Sequence, residues 1–265
     1  MSQDLALPRI LCLHGAGVNA EIFRIQCRAI IARLKDKFRF VFVEGPLEDE
    51  AHEAVVTIFA EFAPFKRWLA YRDRHEPMDA TETAQAIVRQ IRDAMDKDEG
   101  TGEWAGLLGF SQGGVISASL LWAQDHVEDE AKRPLPGVKF RFAVIMAAPG
   151  PVVHIDRTGT LPTPRHLASA GDVIPRFTDW PQEDQEDETH LVLTPTLHVH
   201  GLQDAALEKH RKLYHKYSKK GTATLLEWNG DHRLPIKTDD VEKLVNRMLQ
   251  LAERTGMEFY YDGDW

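Results

Sequence analysis

The stretch Trp104-Ala105-Gly106-Leu107-Leu108-Gly109-Phe110-Ser111-Gln112-Gly113-Gly114-Val115-Ile116 decides how this chain is read. Trp104 to Phe110 is an apolar run of strand length, and Gly113 to Asp125 carries Val115, Ile116, Ala118, Leu120, Leu121 and Trp122, which suits a buried helix. Ser111 stands between them in a G-x-S-x-G pattern, the form of a nucleophile elbow. A strand that passes directly into a helix forces its turn residue into a strained conformation, so small neighbours such as Gly109 and Gly113 are required. The new helix also aims unpaired N–H groups at the serine, where negative charge develops in acyl transfer. A glycine-rich strand end with a chance serine is the competing reading, and the strand and helix on either side favour the elbow.

Trp104 to Ala123 is twenty residues without a charge, long enough on length alone to cross a bilayer. Its glycines, serines and Gln112 make it too polar and too broken for lipid, so the reading expects no membrane span.

Working outward, short apolar runs alternate with amphipathic stretches, as in an α/β fold with a mainly parallel sheet and helices on its faces. The expected strands are Arg9 to Leu13, Phe38 to Val43, Trp104 to Phe110, Phe140 to Ala147, Thr196 to Val199 and Thr222 to Glu227. The expected helices are Ala20 to Leu34, Thr81 to Asp96, Gly113 to Asp125, Ala205 to Tyr217 and Asp239 to Ala252. A single domain over 1–265 is expected, with two long connections. The first, 44–78, carries Phe59, Phe62, Phe65, Trp68 and Tyr71 and reads as a small cap. The second, 149–193, holds five acids in the six residues Glu183 to Glu188 and reads as a long exposed loop.

An elbow needs companions. Leu11-Cys12-Leu13-His14-Gly15-Ala16-Gly17 is a strand leaving into a glycine loop, so the backbone N–H groups of Ala16 and Gln112 are the expected oxyanion hole; an ordinary βα turn is the alternative. The base and its orienting acid should follow in the order Ser, acid, His, on loops after late strands. Asp204 follows the strand through Val199, and His232 follows the strand through Glu227, so both emerge at the carboxyl edge of the sheet with Ser111. His232 is then the proton acceptor and Asp204 its orienting carboxylate. Asp172 and Asp231 are lesser candidates for the acid, and Asp204 alternatively caps the next helix.

Other chemistries have less to stand on. His198 and His200 share a strand face near Asp204, yet no H-E-x-x-H pattern or cysteine pair accompanies them, and the reading expects no metal. Gly15-Ala16-Gly17 lacks the third glycine and following acid of a dinucleotide site, and no cofactor is expected. With 32 basic and 41 acidic residues the formal charge is −9, which disfavours nucleic acid as a partner. Only two cysteines and no basic start followed by an apolar stretch point to a reducing, cytoplasmic setting.

Together these motifs resemble the family of serine hydrolases of fungi and other eukaryotes, small α/β-hydrolases that include a polyketide-releasing thioesterase. The resemblance covers nearly the whole chain: Leu11-Cys12-Leu13-His14-Gly15 with Asn19, Ile22, Phe23 and Gln26; Ala63-Pro64-Phe65 with Arg67-Trp68; Gly109-Phe110-Ser111-Gln112-Gly113; His200-Gly201 with Asp204; and Gly230-Asp231-His232 with Pro235. It implies an α/β-hydrolase fold, a Ser111, Asp204 and His232 triad, and cofactor-free hydrolysis of carboxylic esters or thioesters. The elbow is also similar to that of acyl-protein thioesterases and small carboxylesterases. Asp231 departs from the second glycine that many relatives carry before the histidine.

The expected partner is a small-molecule acyl ester or thioester, with Phe65, Trp68 and Tyr71 as candidates to line an acyl groove. Lys209, Arg211, Lys212, Lys216, Lys219 and Lys220 make a basic face that suits either solvent or an acidic acyl carrier protein. The rival from another class is a non-catalytic small-molecule binding protein on the same fold.

Overall fold

A computed structural model describes residues 4–51, 59–182 and 187–259. Six strands, β1 (Arg9–Leu13), β2 (Arg39–Val43), β3 (Trp104–Phe110), β4 (Phe142–Met146), β5 (Thr196–Gly201) and β6 (Ala223–Trp228), form one sheet. Their order is β6-β5-β4-β3-β1-β2, and every pairing is parallel. Each lies within two residues of its expected bounds.

Helices α1 (Ala20–Gln26), α2 (Arg28–Leu34), α3 (Ala80–Lys97), α4 (Gln112–His126), α5 (Leu207–Tyr217) and α6 (Thr238–Arg254) cover both faces. Side chains alternate across a strand. Leu11 and Leu13 therefore join α3 and α4 in one core cluster, whereas Ile10 and Cys12 join α1, α2 and α6 in the other. Helix α3 buries a single stripe, Thr83, Ala84, Ile87, Val88, Ile91 and Met95, and Asp79 caps it by accepting from Glu82 N at 2.7 Å. Helix α4 is buried at every residue from Gln112 to Ala123, which is why its sequence is apolar without a polar face.

The chain starts in the interior at β1, steps outward to β2, then returns to β3 on the other side of β1. That reversal opens a crevice beyond the carboxyl ends of β1 and β3, the usual ligand position in such sheets.

Two expectations need correction. The helix expected over Ala20 to Leu34 is two, because the backbone at Cys27 turns to φ −78° and ψ 0° between α1 and α2. The connection 149–193 is not a long exposed loop: Val152, Val153, Ile155, Leu167, Ala168 and Ala170 are core residues, and Val153 pairs with Ala168 in a small parallel sheet. Val153 N–H donates to Ser119 Oγ of α4 at 2.8 Å, so the segment is pinned to the centre of the molecule. Asp187 and Glu188 are exposed, and the rest of the acidic run, 183–186, lies outside the described residues.

In the first connection, Leu47–Asp49 pairs antiparallel with Phe65–Arg67, while 52–58 lie outside the described residues. Cys12 and Cys27 are free and buried. Among the described residues no helix is long and apolar enough to cross a membrane; the uncharged stretch divides into β3 and α4.

Candidate active site

Ser111 sits between β3 and α4 at φ 52° and ψ −119°, a left-handed conformation that a residue with a Cβ adopts only under constraint. The constraint is visible. Ser111 N–H donates to Met146 O of β4 at 2.8 Å, and α4 starts immediately behind. A Cβ on Gly113 would meet the carbonyl oxygen of Leu13 and stand 2.6 Å from that of His14, so only glycine lets α4 approach β1 this closely.

The structure brings Ser111, His232 and Asp204 into one hydrogen-bonded line. His232 Nδ1 is 2.6 Å from Asp204 Oδ2, and His232 Nε2 is 3.0 Å from Ser111 Oγ. A carboxylate only accepts, so Nδ1 carries the proton and the bare Nε2 faces the serine hydroxyl. Phe110 backs the imidazole, with ring centroids 5.1 Å apart. The Asp204 side chain is 2% exposed and that of His232 28%, so the acid end is dry and the base is open to a substrate. Burial opposes the charge of Asp204, but the hydrogen bonds from His232 and Ala206 N–H outweigh it and hold the carboxyl below its ordinary range.

Asp204 also performs the alternative task weighed for it. Its Oδ1 accepts from Ala206 N at 2.8 Å and shapes the turn into α5, while Oδ2 holds His232. Asp172 is committed to its own turn, accepting from Ser169 N at 2.7 Å, and the exposed Asp231 pairs with Arg233 at 2.8 Å.

Across the crevice, a Cβ on Gly15 would stand 3.2 Å from Ser111 Cβ, which places the loop carrying Ala16 against the serine. Gln112 opens α4, so its backbone N–H belongs to the first turn, which has no partner inside the helix. His14 fastens this loop. Gly45 N–H donates to its Nε2 at 2.9 Å, so Nδ1 carries the proton and donates to Gly15 O at 2.6 Å. Complete burial lowers its pKa to about 4, and the ring is a neutral strut.

Of the three groove candidates, Trp68 is withdrawn into the interior, and Tyr71 is half-buried with its hydroxyl engaged. Trp68 is fully buried; its indole N–H donates to His14 O at 2.9 Å and its backbone N–H to Gln112 Oε1 at 2.5 Å. Leu69 completes that clamp by donating its N–H to Gln112 Oε1 and accepting from Gln112 Nε2, each at 3.2 Å. Tyr71 donates its hydroxyl to Asp49 Oδ2 at 2.8 Å and is held by Arg72. Each of these aromatics is anchored through its polar end, which an apolar reading of the segment overlooked. Phe65 is half-buried and packs with Phe59 and Phe62 on Val18 and Ile22, directly after the Gly15–Gly17 loop.

Behind the acid lies a group of imidazoles. His198 and His200 of β5 face α5, and their rings stand near Tyr214 at 5.1 and 6.4 Å. His210 of α5 lies 5.7 Å from both His200 and His232 by ring centroid. It is fully buried, and its Nδ1 is 3.7 Å from Asp204 Oδ2. Burial lowers His198 to about 3 and His200 and His210 to about 4, so the group is neutral near pH 7. The sequence reading missed His210, whose signal was its i, i+3, i+7 spacing with the buried Leu213 and Tyr217. The basic stretch from α5 to Lys220 is partly engaged: Arg211 pairs with Glu208 and Glu227, Lys219 just beyond the helix pairs with Glu188, and the Lys212 ammonium lies over the Trp180 ring.

Comparison with known proteins agrees with this architecture. The chain is 45% identical over 261 residues to the esterase pigG of Monascus ruber, covering 96% of this chain and 94% of that protein. It is 40% identical over 262 residues to the esterase claE of Penicillium crustosum, covering 97% of each. Among solved structures, Zea mays acyl-protein thioesterase 2 superposes with a TM-score of 0.53 at 16% identity, covering 93% of this chain and 94% of that one; the shared fold is that of the α/β-hydrolases. The family described as serine hydrolase (FSH1) matches residues 1–244. The chain therefore belongs to the serine hydrolase (FSH1) family, an enzyme family whose curated relatives of this chain are named esterases.

Proposed function

We propose that this enzyme hydrolyses carboxylic esters or acyl thioesters through an acyl-enzyme on Ser111. The observation that carries the reading is the Asp204–His232–Ser111 line ending on a strained turn. Ser111 Oγ attacks the acyl carbon while its proton passes to His232 Nε2. Asp204 stabilises the imidazolium, and the backbone N–H groups of Ala16 and Gln112 receive the oxyanion. The imidazolium then gives its proton to the departing alcohol or thiol, and water repeats the sequence to free the acid and restore the serine.

Phe65, with Phe59 and Phe62, is the proposed contact for the acyl chain, since this half-buried aromatic cluster adjoins the loop of Ala16. The resemblance noted above extends the reading to release of a polyketide or fatty acyl product. A free small-molecule ester is favoured over one held by an acyl carrier protein, because Arg211, Lys212 and Lys219 are already engaged within the chain. Buried, unpaired cysteines suit the proposed cytoplasmic setting.

The test is labelling by a fluorophosphonate probe together with hydrolysis of p-nitrophenyl esters and acyl thioesters of increasing length. Labelling and turnover that both vanish in Ser111→Ala are expected. Tight ligand retention without turnover would instead identify a binding protein.

A further inference from the structure

We propose that Asp204, His210 and His232 form a zinc site whose occupancy switches the hydrolase off. The first observation is His210. Its imidazole is fully buried in α5, and neither Nδ1 nor Nε2 has a hydrogen-bond partner among the described residues. Buried polar groups without partners are rare enough in folded proteins that each calls for an explanation.

The second observation is where that imidazole points. One ligand atom from each of Asp204, His210 and His232 lies within 4.8 Å of the others, and His210 Nδ1 is 3.7 Å from Asp204 Oδ2. Ligands around a tetrahedral zinc ion, bonded at about 2.0–2.2 Å, stand roughly 3.3–3.6 Å apart. Zinc would therefore part His232 Nδ1 from the carboxylate, now 2.6 Å away, by about 1 Å and draw the wider separations inward, shifts within reach of side-chain rotation. Two imidazoles and one carboxylate match zinc rather than calcium or magnesium, which favour all-oxygen sets. The carboxylate is already oriented by Ala206 N–H, and the 28% exposed side chain of His232 marks the way in.

The consequence follows from the proton on His232. An ion bonded to Nδ1 takes the position of that proton, and the neutral ring retains it on Nε2 instead. Nε2 then faces Ser111 as a donor and has no lone pair to accept the hydroxyl proton. Asp204 Oδ2 is turned to the ion as well, so the base and its orienting acid are lost together.

The binding part of the proposal stands apart from the proposed ester chemistry; the inhibition part rests on it. Calorimetric titration of zinc chloride into the full chain, Ser111→Ala and His210→Phe separates them. Unmodified protein and Ser111→Ala are expected to bind one ion alike, with affinity at least tenfold lower in His210→Phe. Zinc should suppress ester hydrolysis and EDTA should restore it. Zinc-edge anomalous scattering from zinc-soaked crystals of the unmodified chain provides a measurement that needs no variant, with a peak expected among the three ligand atoms. Absent binding, undiminished affinity in His210→Phe, or a peak elsewhere would overturn the site. Binding at the site with hydrolysis untouched would overturn the switch, and binding with no hydrolysis under any condition would count against the ester reading instead.

Discussion

The indole N–H of Trp68 reaches the carbonyl oxygen of His14 at 2.9 Å, tying the segment after the small antiparallel pair to the end of β1. His14 is followed by Gly15 and Ala16, the loop proposed to receive the oxyanion, so this bond sets the height of that loop above Ser111. Trp68→Phe leaves the buried carbonyl without its donor and should destabilise the protein by about 1–3 kcal/mol. Urea denaturation gives the stability change, and kcat for a short ester should fall as well; full kcat with reduced stability would confine Trp68 to packing.

Removing the carboxylate tests the tautomer. In Asp204→Asn the amide can donate to His232 Nδ1, which favours the proton on Nε2, the wrong nitrogen for accepting from Ser111. By analogy with the same change in serine proteases, kcat should drop by roughly 10⁴-fold while the fold survives. Circular dichroism and steady-state kinetics on the same preparation check both halves.

Four imidazoles make the fold sensitive to acid. Burial holds His14, His200 and His210 at about 4 and His198 at about 3, against 6.5 in the unfolded chain. Between those values the unfolded state binds more protons, so stability rises with pH and is lost as pH falls from about 6.5 toward 4. Denaturation midpoints at pH 7, 6 and 5 should descend with increasing slope; equal midpoints would contradict burial of the neutral rings.

Acyl-chain preference is the readout for Phe65. Truncation in Phe65→Ala removes apolar surface beside Val18, so kcat/KM for a long-chain p-nitrophenyl ester should fall about tenfold further than for the acetate. Equal losses on both substrates would place the acyl chain elsewhere.

The strand, elbow and helix around Ser111 were legible because a charge-free run broken only by small residues has few other packings. The positions of Asp204 and His232 were legible because each directly follows an apolar strand. Residues 149–193 misled because their apolar side chains come in short groups between Pro, Gly and Asp, and their burial is decided by contacts such as Val153 N–H with Ser119 Oγ. Trp68 and Tyr71 show the same limit. An aromatic reads as apolar surface, whereas its location here is fixed by where its N–H or O–H lands. His210 carried only helical spacing, and the approach of α5 to Asp204 is a tertiary fact.

Because all six strands point the same way, everything proposed to meet a substrate stands on one rim of the sheet. The triad leaves the amino-terminal rim uninvolved. There Gly137, ahead of β4, and Gly221, ahead of β6, turn at φ 76° and 88° with nothing within 4 Å of where a Cβ would project. Those two turns are the natural points for tethering the enzyme to a solid support or grafting a fluorophore, with the reactive rim facing the bulk liquid.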